Sequence, residues 1–495
     1  MTKIKQRTTW GWMVAWGTLG VAMGGSVHGG CTTDAPACAV ACEVDDECPD
    51  GQTCGALGLC SPSGACACEP GSFLGCASAD ILERCSAAGD APAPEACEAG
   101  CNAEAGRCNA CVPSQVACSA DRTHIETCGV TGVPLAPAPC ALPCVDGTDA
   151  APAHCGYVSP VWLPDACDAP ATAETLVTMD GMIDTSDDAV CNGGVVPQPG
   201  GPELCVVRYR AITVEGTMRV TGARVLALIA DDELRITGEL DVSASGRASG
   251  PGLAGTAGSG VGAPAGGGGA GFRTAGGFGG APSDVGIGGE GGALVEPTER
   301  PVLAGGYRGP GTSGPTFGDA VGGGGGGALL LVGCRGPVVL EGVIDAGGGG
   351  GESGGDTNPI AGVTRFRGGA GGGSGGYVVV QGAAVTVTAT GALWANGGGG
   401  GGGASSDGAR GGPGYDAPRS TFAAYGGQVF GTGGAGGQGG TAAVPSNGGL
   451  SLVAAGGGGG AAGRLQLYTP AGVTPTVSST NGSPPLEPLR VVPTR

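Results

Sequence analysis

The sequence predicts an all-β chain: a glycine-rich parallel β-solenoid over residues 205–470, preceded by small disulfide-rich modules. Three observations predict it. Apolar residues mostly alternate with others from Ile212 to Val242, punctuated by Gly216, Gly222 and Gly238, which is the period of half-buried strands broken by tight turns. The same unit then recurs far downstream. Val225-Leu226-Ala227-Leu228 begins 13 residues before Gly238, Leu329-Leu330-Leu331-Val332 begins 13 before Gly342, and Val378-Val379-Val380 begins 13 before Gly391. Finally, small or apolar residues return after each glycine, as Leu240 and Val242, Ile344 and Ala346, Leu393 and Ala395. Such units read as rungs that stack apolar face on apolar face, with a fourth beginning at Leu465. A β-sandwich with glycine-rich loops is the alternative.

Glycine supplies 111 of the 495 residues, against 7 Phe, 7 Tyr and 5 Trp, so a conventional aromatic core is excluded. Glycine loses the most backbone freedom on folding and brings no side chain to bury, so order must come from repeated backbone hydrogen bonding. Runs at 322–327, 347–351, 397–403 and 456–460 fall at equivalent rung ends. That regularity predicts extended, three-residue-per-turn helices packed side by side, rather than flexible linkers.

At the N-terminus, Lys3, Lys5 and Arg7 precede an apolar stretch and a small-residue run ending at Gly29-Gly30. That order predicts a secretory signal over 1–30, and the apolar stretch is short for a membrane span. Export makes the dense cysteines disulfides rather than zinc ligands. Cysteines Cys42, Cys48, Cys54 and Cys60 recur every 6 residues in a short module, 31–66. Two six-cysteine modules follow in tandem: Cys68, Cys76, Cys85, Cys97, Cys101 and Cys108 in 67–109, then Cys111, Cys118, Cys128, Cys140, Cys144 and Cys155 in 110–157. Their third-to-fourth and fourth-to-fifth spacings are identical, at 12 and 4 residues. Spacing leaves the pairing open, since six cysteines allow about 15 connectivities. Residues 158–204 read as a linker and 471–495 as a C-terminal tail.

Gly29-Gly30-Cys31 resembles a bacterial lipobox, with His28 where that pattern usually has leucine. The resemblance implies lipidation at Cys31, and removing it leaves an even 22 of the 23 cysteines. The stretch from Cys42 to Cys60 resembles the short cysteine repeats of Gram-negative surface proteins, which implies an extracellular spacer or recognition module. The region from about Asp180 to Pro470 resembles glycine-rich bacterial surface lipoproteins of unestablished function. Such chains often carry a PE-PGRS label, but the helical N-terminal domain that defines that family is missing here.

Net charge is −20 and the only lysines are Lys3 and Lys5, which argues against nucleic acid as a partner. Gly372-Gly373-Ser374-Gly375-Gly376 satisfies the nucleophile-elbow spacing, but no histidine follows position 154. Asp241 and Asp345 fall at equivalent places in successive rungs, where Trp394 occupies the third. Alternation predicts both carboxylates facing solvent, without a lysine to serve as base. Calcium is the one cofactor the chain has candidates for, at Asp184, Asp187 and Asp188, and at Asp231, Asp232 and Glu233. Solvated acidic turns are the simpler reading of both groups. The function expected is non-enzymatic: a cell-surface or secreted structural or adhesion protein, lipid-anchored at Cys31. Its partners would be envelope or extracellular surface components, glycans included, with membrane contact through the anchor only. A carbohydrate-binding or polysaccharide-cleaving β-helix protein is the alternative.

Overall fold

The computed structural model describes residues 38–495, apart from 39, 63–65, 149–150, 257, 263, 283–285, 296–301, 314–318, 356–365 and 408. The predicted signal segment and Cys31 lie outside the described residues. The chain divides into two compact units, Met1–Ser114 with Cys128–Pro134, and Gln115–Thr127 with Leu135–Arg495. No helix among the described residues is long and apolar enough to cross a membrane.

Cysteine chemistry dominates residues 38–155. In the first module Cys38–Cys66, Cys42–Cys54 and Cys48–Cys60 are bridged. The next joins Cys68–Cys85, Cys76–Cys101 and Cys97–Cys108. The third repeats that order with Cys111–Cys128, Cys118–Cys144 and Cys140–Cys155. Both six-cysteine modules are therefore linked first to third, second to fifth and fourth to sixth. Each also folds a three-stranded antiparallel sheet, from Phe73–Ser78, Ile81–Cys85 and Pro92–Ala96, and from Val116–Cys118, His124–Thr127 and Ala138–Pro139. Sheets this small bury little apolar surface, and each closed loop contributes about 3 kcal/mol in the chain-entropy account. With Cys167–Cys334 and Cys191–Cys205, the bridges use every cysteine among the described residues.

The second unit is built on two parallel sheets between which the chain alternates. The first contains β1 (Thr175–Thr178), β4 (Leu204–Val214), β6 (Val225–Ile236), β8 (Ala328–Leu340), β10 (Tyr377–Val387), β12 (Arg464–Thr469) and β15 (Arg490–Val491), in that order. Two further strands flank it, β3 (Val195–Val196) antiparallel on β4 and β13 (Thr476–Val477) on β10. In the second lie β2 (Gly181–Asp184), β5 (Thr217–Thr221), β7 (Glu239–Asp241), β9 (Val343–Asp345), β11 (Ala392–Trp394) and β14 (Gly482–Ser483). The ladders thus begin within 158–204 and end within 471–495, because short strands from both segments add rungs to either end.

The recurring units share one ladder, as their spacing predicts. Leu226 pairs with Leu329, Leu329 with Val378, and Val378 with Leu465. Leu240, Ile344 and Leu393 align in the second sheet. Parallel pairing rules out the antiparallel sandwich. One detail of the sequence alignment shifts: Leu226, not Val225, faces Leu329. A register irregularity between Ala230 and Leu234 restores the alignment before Gly238 and Gly342. A one-residue bulge of this kind turns side chains to the opposite face, which equal spacing to a glycine cannot reveal. Residues of both sheets, including Leu228, Leu331, Val380, Leu240 and Ile344, form one buried cluster.

Glycine segments enter and leave these strands directly: 322–327 runs into β8, 368–376 into β10 and 456–463 into β12, while β9 and β11 continue into 346–351 and 395–403. Their hydrogen bonds have period three. Gly397, Gly400 and Gly403 donate to Gly440, Gly437 and Gly434; Gly398 and Gly401 donate to Gly373 and Ala370; Gly399 and Gly402 donate to Tyr415 and Gly412, all at 2.8–2.9 Å. The same run accepts from Gly460 and Gly457, from Gly351 and Gly354, and from Gly427. Six neighbours around one segment, met in threefold rotation, make a lattice of extended three-residue-per-turn helices, which have no internal hydrogen bonds and satisfy their backbone only through neighbours. Close approach is why glycine is required here. An added Cβ would lie 2.0 Å from the Gly349 oxygen at Gly398, 2.0 Å from that of Tyr425 at Gly399, and 2.2 Å from that of Gly457 at Gly400.

Candidate functional site

The second sheet carries a column of in-register residues, Arg219, Asp241, Asp345 and Trp394, running across β5, β7, β9 and β11. Alternation predicted the two carboxylates in solvent; instead they are buried, with side chains 13% and 6% exposed. The correction has a clear cause. Arg419, from the turn after the glycine segment 411–417, reaches across both rungs. Its Nε donates to Asp345 Oδ2 at 2.7 Å, and its Nη1 and Nη2 clasp the Glu239 carboxylate, with Nη1 at 2.8 Å. Arg219 donates to Asp241 Oδ2 at 2.5 Å and to the Ser243 carbonyl at 2.7 Å.

Electrostatics separate the two acids. Burial disfavours the charge on Asp241, but hydrogen bonds from Arg219 and Ser243 outweigh it and hold the carboxyl below its ordinary value. For Asp345 burial wins and the carboxyl titrates above the ordinary value, despite Arg419 and the Gly347 amide. Arg419, though partly buried, is held firmly protonated by Asp345 and Glu239. All these carboxylates are committed to guanidinium or amide donors, so the column is an electrostatic clasp and offers no unengaged base.

The predicted calcium candidates are committed in the same way. Asp184 accepts from the Ser186 amide and Asp187 from that of Ala189, while Asp188 pairs with Arg224 at 2.7 Å. Asp231 is buried between Arg208, at 2.8 Å, and Arg335, at 3.8 Å. Asp232 pairs with Arg210, and Glu233 with Arg235, which also holds Glu341. Among the described residues, ligand atoms converge at Cys42, Cys48 and Cys60, whose sulfurs are spent in disulfides. Ser374 is fully buried within the glycine lattice, its Oγ accepting the Tyr307 amide at 2.8 Å, so no elbow presents it to a substrate.

A second buried polar cluster lies on the first sheet. Tyr377 donates to Gln466 Oε1, Tyr468 donates to the same atom at 3.0 Å, and Gln466 donates to Glu487, which Arg464 also holds at 3.4 Å. Burial raises the Tyr377 and Tyr468 hydroxyls above their ordinary value, so both stay neutral donors. Two modest cavities lie among the described residues. One of about 200 Å³ is lined by Val387, Leu393, Leu465, Val477 and the turn through Leu486, without a titratable group. Another of about 250 Å³ contains Asp165 and Arg208, already paired with Arg495 and Asp231.

What side-chain spacing offers to the exterior is found instead on the lattice rim. Tyr425-Gly426-Gly427-Gln428 and Ala435-Gly436-Gly437-Gln438-Gly439-Gly440-Thr441 place a non-glycine residue at every third position. Tyr425, Gln428, Ala435 and Gln438 are exposed. The intervening glycines face neighbours, with an added Cβ 1.9 Å from the Gly436 oxygen at Gly426 and 2.0 Å from that of Gly412 at Gly427. This X-Gly-Gly period is the sequence signal for an outer surface. Comparison with known protein families, curated proteins and solved structures finds no match to this chain.

Proposed function

We propose that this is a non-enzymatic structural or adhesion protein of the cell surface or extracellular space, exported by its N-terminal segment and lipid-anchored at Cys31. In this reading the paired ladders coil as a parallel β-solenoid. Eleven disulfides fit an oxidising, exported environment, where such bridges persist. The observation that carries the reading is the glycine lattice. It is held by backbone hydrogen bonds on all sides, so its rim side chains sit on a rigid support and its interior has no room for a substrate. Charged groups lend it further support, since arginines engage Asp188, Asp231, Asp232, Glu233, Asp241 and Asp345, and backbone amides engage Asp184 and Asp187.

The test compares cells producing the full chain with cells lacking it and with a Cys31→Ser variant. Expected are surface proteolysis of the protein, fatty-acid labelling abolished by Cys31→Ser, and weakened attachment or envelope integrity without the chain. Multiple turnovers of a polysaccharide or peptide by the purified chain would overturn the reading.

A further inference from the structure

Segments 412–415, 424–428 and 434–440 are neighbours on the lattice. Tyr415 donates to the Tyr425 carbonyl at 3.0 Å, and Gly436 and Gly439 donate to Gly427 and Ala424. All three also bond to the glycine run 397–403, so they form an arc around it and their free positions face away from it. Those positions hold a defined chemistry. Tyr415 and Tyr425 are 55% and 66% exposed, with ring centroids 6.4 Å apart and planes at 82°. Phe422, three residues before Tyr425, is 74% exposed. Gln428 follows Tyr425 by three residues, and Gln438 lies on the next segment.

Aromatic rings and primary amides thus share one rim, and the charges adjoining it are engaged elsewhere, Asp416 by the Gly246 and Gly350 amides and Arg419 by Asp345 and Glu239. We infer that this rim binds a neutral polysaccharide. Pyranose rings present apolar C–H faces and a border of hydroxyls. Tyrosine offers a large flat contact with few torsions to freeze and a hydroxyl at its edge, while glutamine donates and accepts at once. Three residues of an extended helix advance about 9 Å, comparable with a disaccharide unit of an extended glycan, so successive rim residues can address successive units. Support on the lattice removes much of the ordering cost of binding. A polyanionic glycan is disfavoured, because the chain's −20 charge repels it.

The inference rests on the adhesive reading and narrows it to one partner class. Its test is a depletion isotherm of the purified full chain on insoluble cellulose and chitin, on a soluble neutral glucan, and on alginate as the anionic control. Saturable binding to a neutral glycan is expected, weakened at least tenfold by Tyr415→Ala with Tyr425→Ala and several-fold by Gln428→Ala. Melting temperature should be unchanged, because these side chains are exposed. No saturable binding to a neutral glycan, binding to alginate alone, or binding indifferent to the double substitution would each overturn it. If cells producing the double variant attach normally while glycan binding is absent, the glycan is the wrong partner and the adhesive role stands.

Discussion

Gly400 shows how little freedom single residues have in this lattice, since any Cβ there meets the Gly457 oxygen at 2.2 Å. Gly400→Ala is expected to cost roughly 3 kcal/mol or more, as over-packing against backbone does, measured by denaturant unfolding of the purified chain. Ala435→Ser on the rim should fall within about 0.5 kcal/mol of wild type, as surface substitutions do. The clasp makes a second prediction. Asp241 titrates below its ordinary value of 3.8 in the folded state, so its contribution is present above that pH and is lost as pH falls through the folded value. Asp345 is raised, so its effect has the opposite sign: stability declines as pH climbs from 3.8 through its folded value. Melting curves between pH 2 and 6 should therefore show Asp241→Asn narrowing the acid-induced loss and Asp345→Asn widening it. The glycine positions were legible because four runs recur in register. Arg419 was not, for its carboxylate Glu239 lies 180 residues earlier and nothing local marks the pairing.

The strands were legible as elements because alternation and a repeated spacing both pointed at the same residues, and Leu226, Leu329, Val378 and Leu465 do align. The inward face held, with Leu226, Leu228, Leu234 and Ile236 in one buried cluster; what failed was the register of this strand on its neighbour, by one residue. A single-residue irregularity between Ala230 and Leu234 is invisible to spacing counted from Gly238. The outward placement of Asp241 and Asp345 failed for a related reason: alternation identifies two faces of a strand and cannot say that a later segment covers the second. Disulfide pairing was beyond spacing altogether, since six cysteines allow about 15 connectivities. Leu331, fully buried and stacked between Leu228 and Val380, tests the ladder. Leu331→Ala is expected to cost about 2–5 kcal/mol, the range for truncating buried leucines, read from the same unfolding curves. Opening the Cys167–Cys334 bridge, which closes a span of 167 residues, should cost roughly 5 kcal/mol in the chain-entropy account. A Cys167→Ser, Cys334→Ser pair would measure it.

At the scale of the whole molecule, two different kinds of order are joined in one chain. Residues 38–155 depend on covalent bridges, whereas the ladders and lattice rest mainly on backbone hydrogen bonds and a buried apolar cluster, with the Cys167–Cys334 and Cys191–Cys205 bridges buried away from reductant. Reductant should therefore make 38–155 sensitive to protease while 204–469 survives as a fragment, a contrast that limited proteolysis with and without dithiothreitol would display. The alternation of Gly-Gly-Gly interior with X-Gly-Gly rim also sets a rule for growth. Adding a helix to the outside of such an assembly converts a former boundary into interior, so each newly enclosed segment must surrender its side chains. Area then scales with glycine and perimeter with chemistry. A larger relative of this fold would be proportionally poorer in residues able to recognise anything, and new specificity must be written along its circumference.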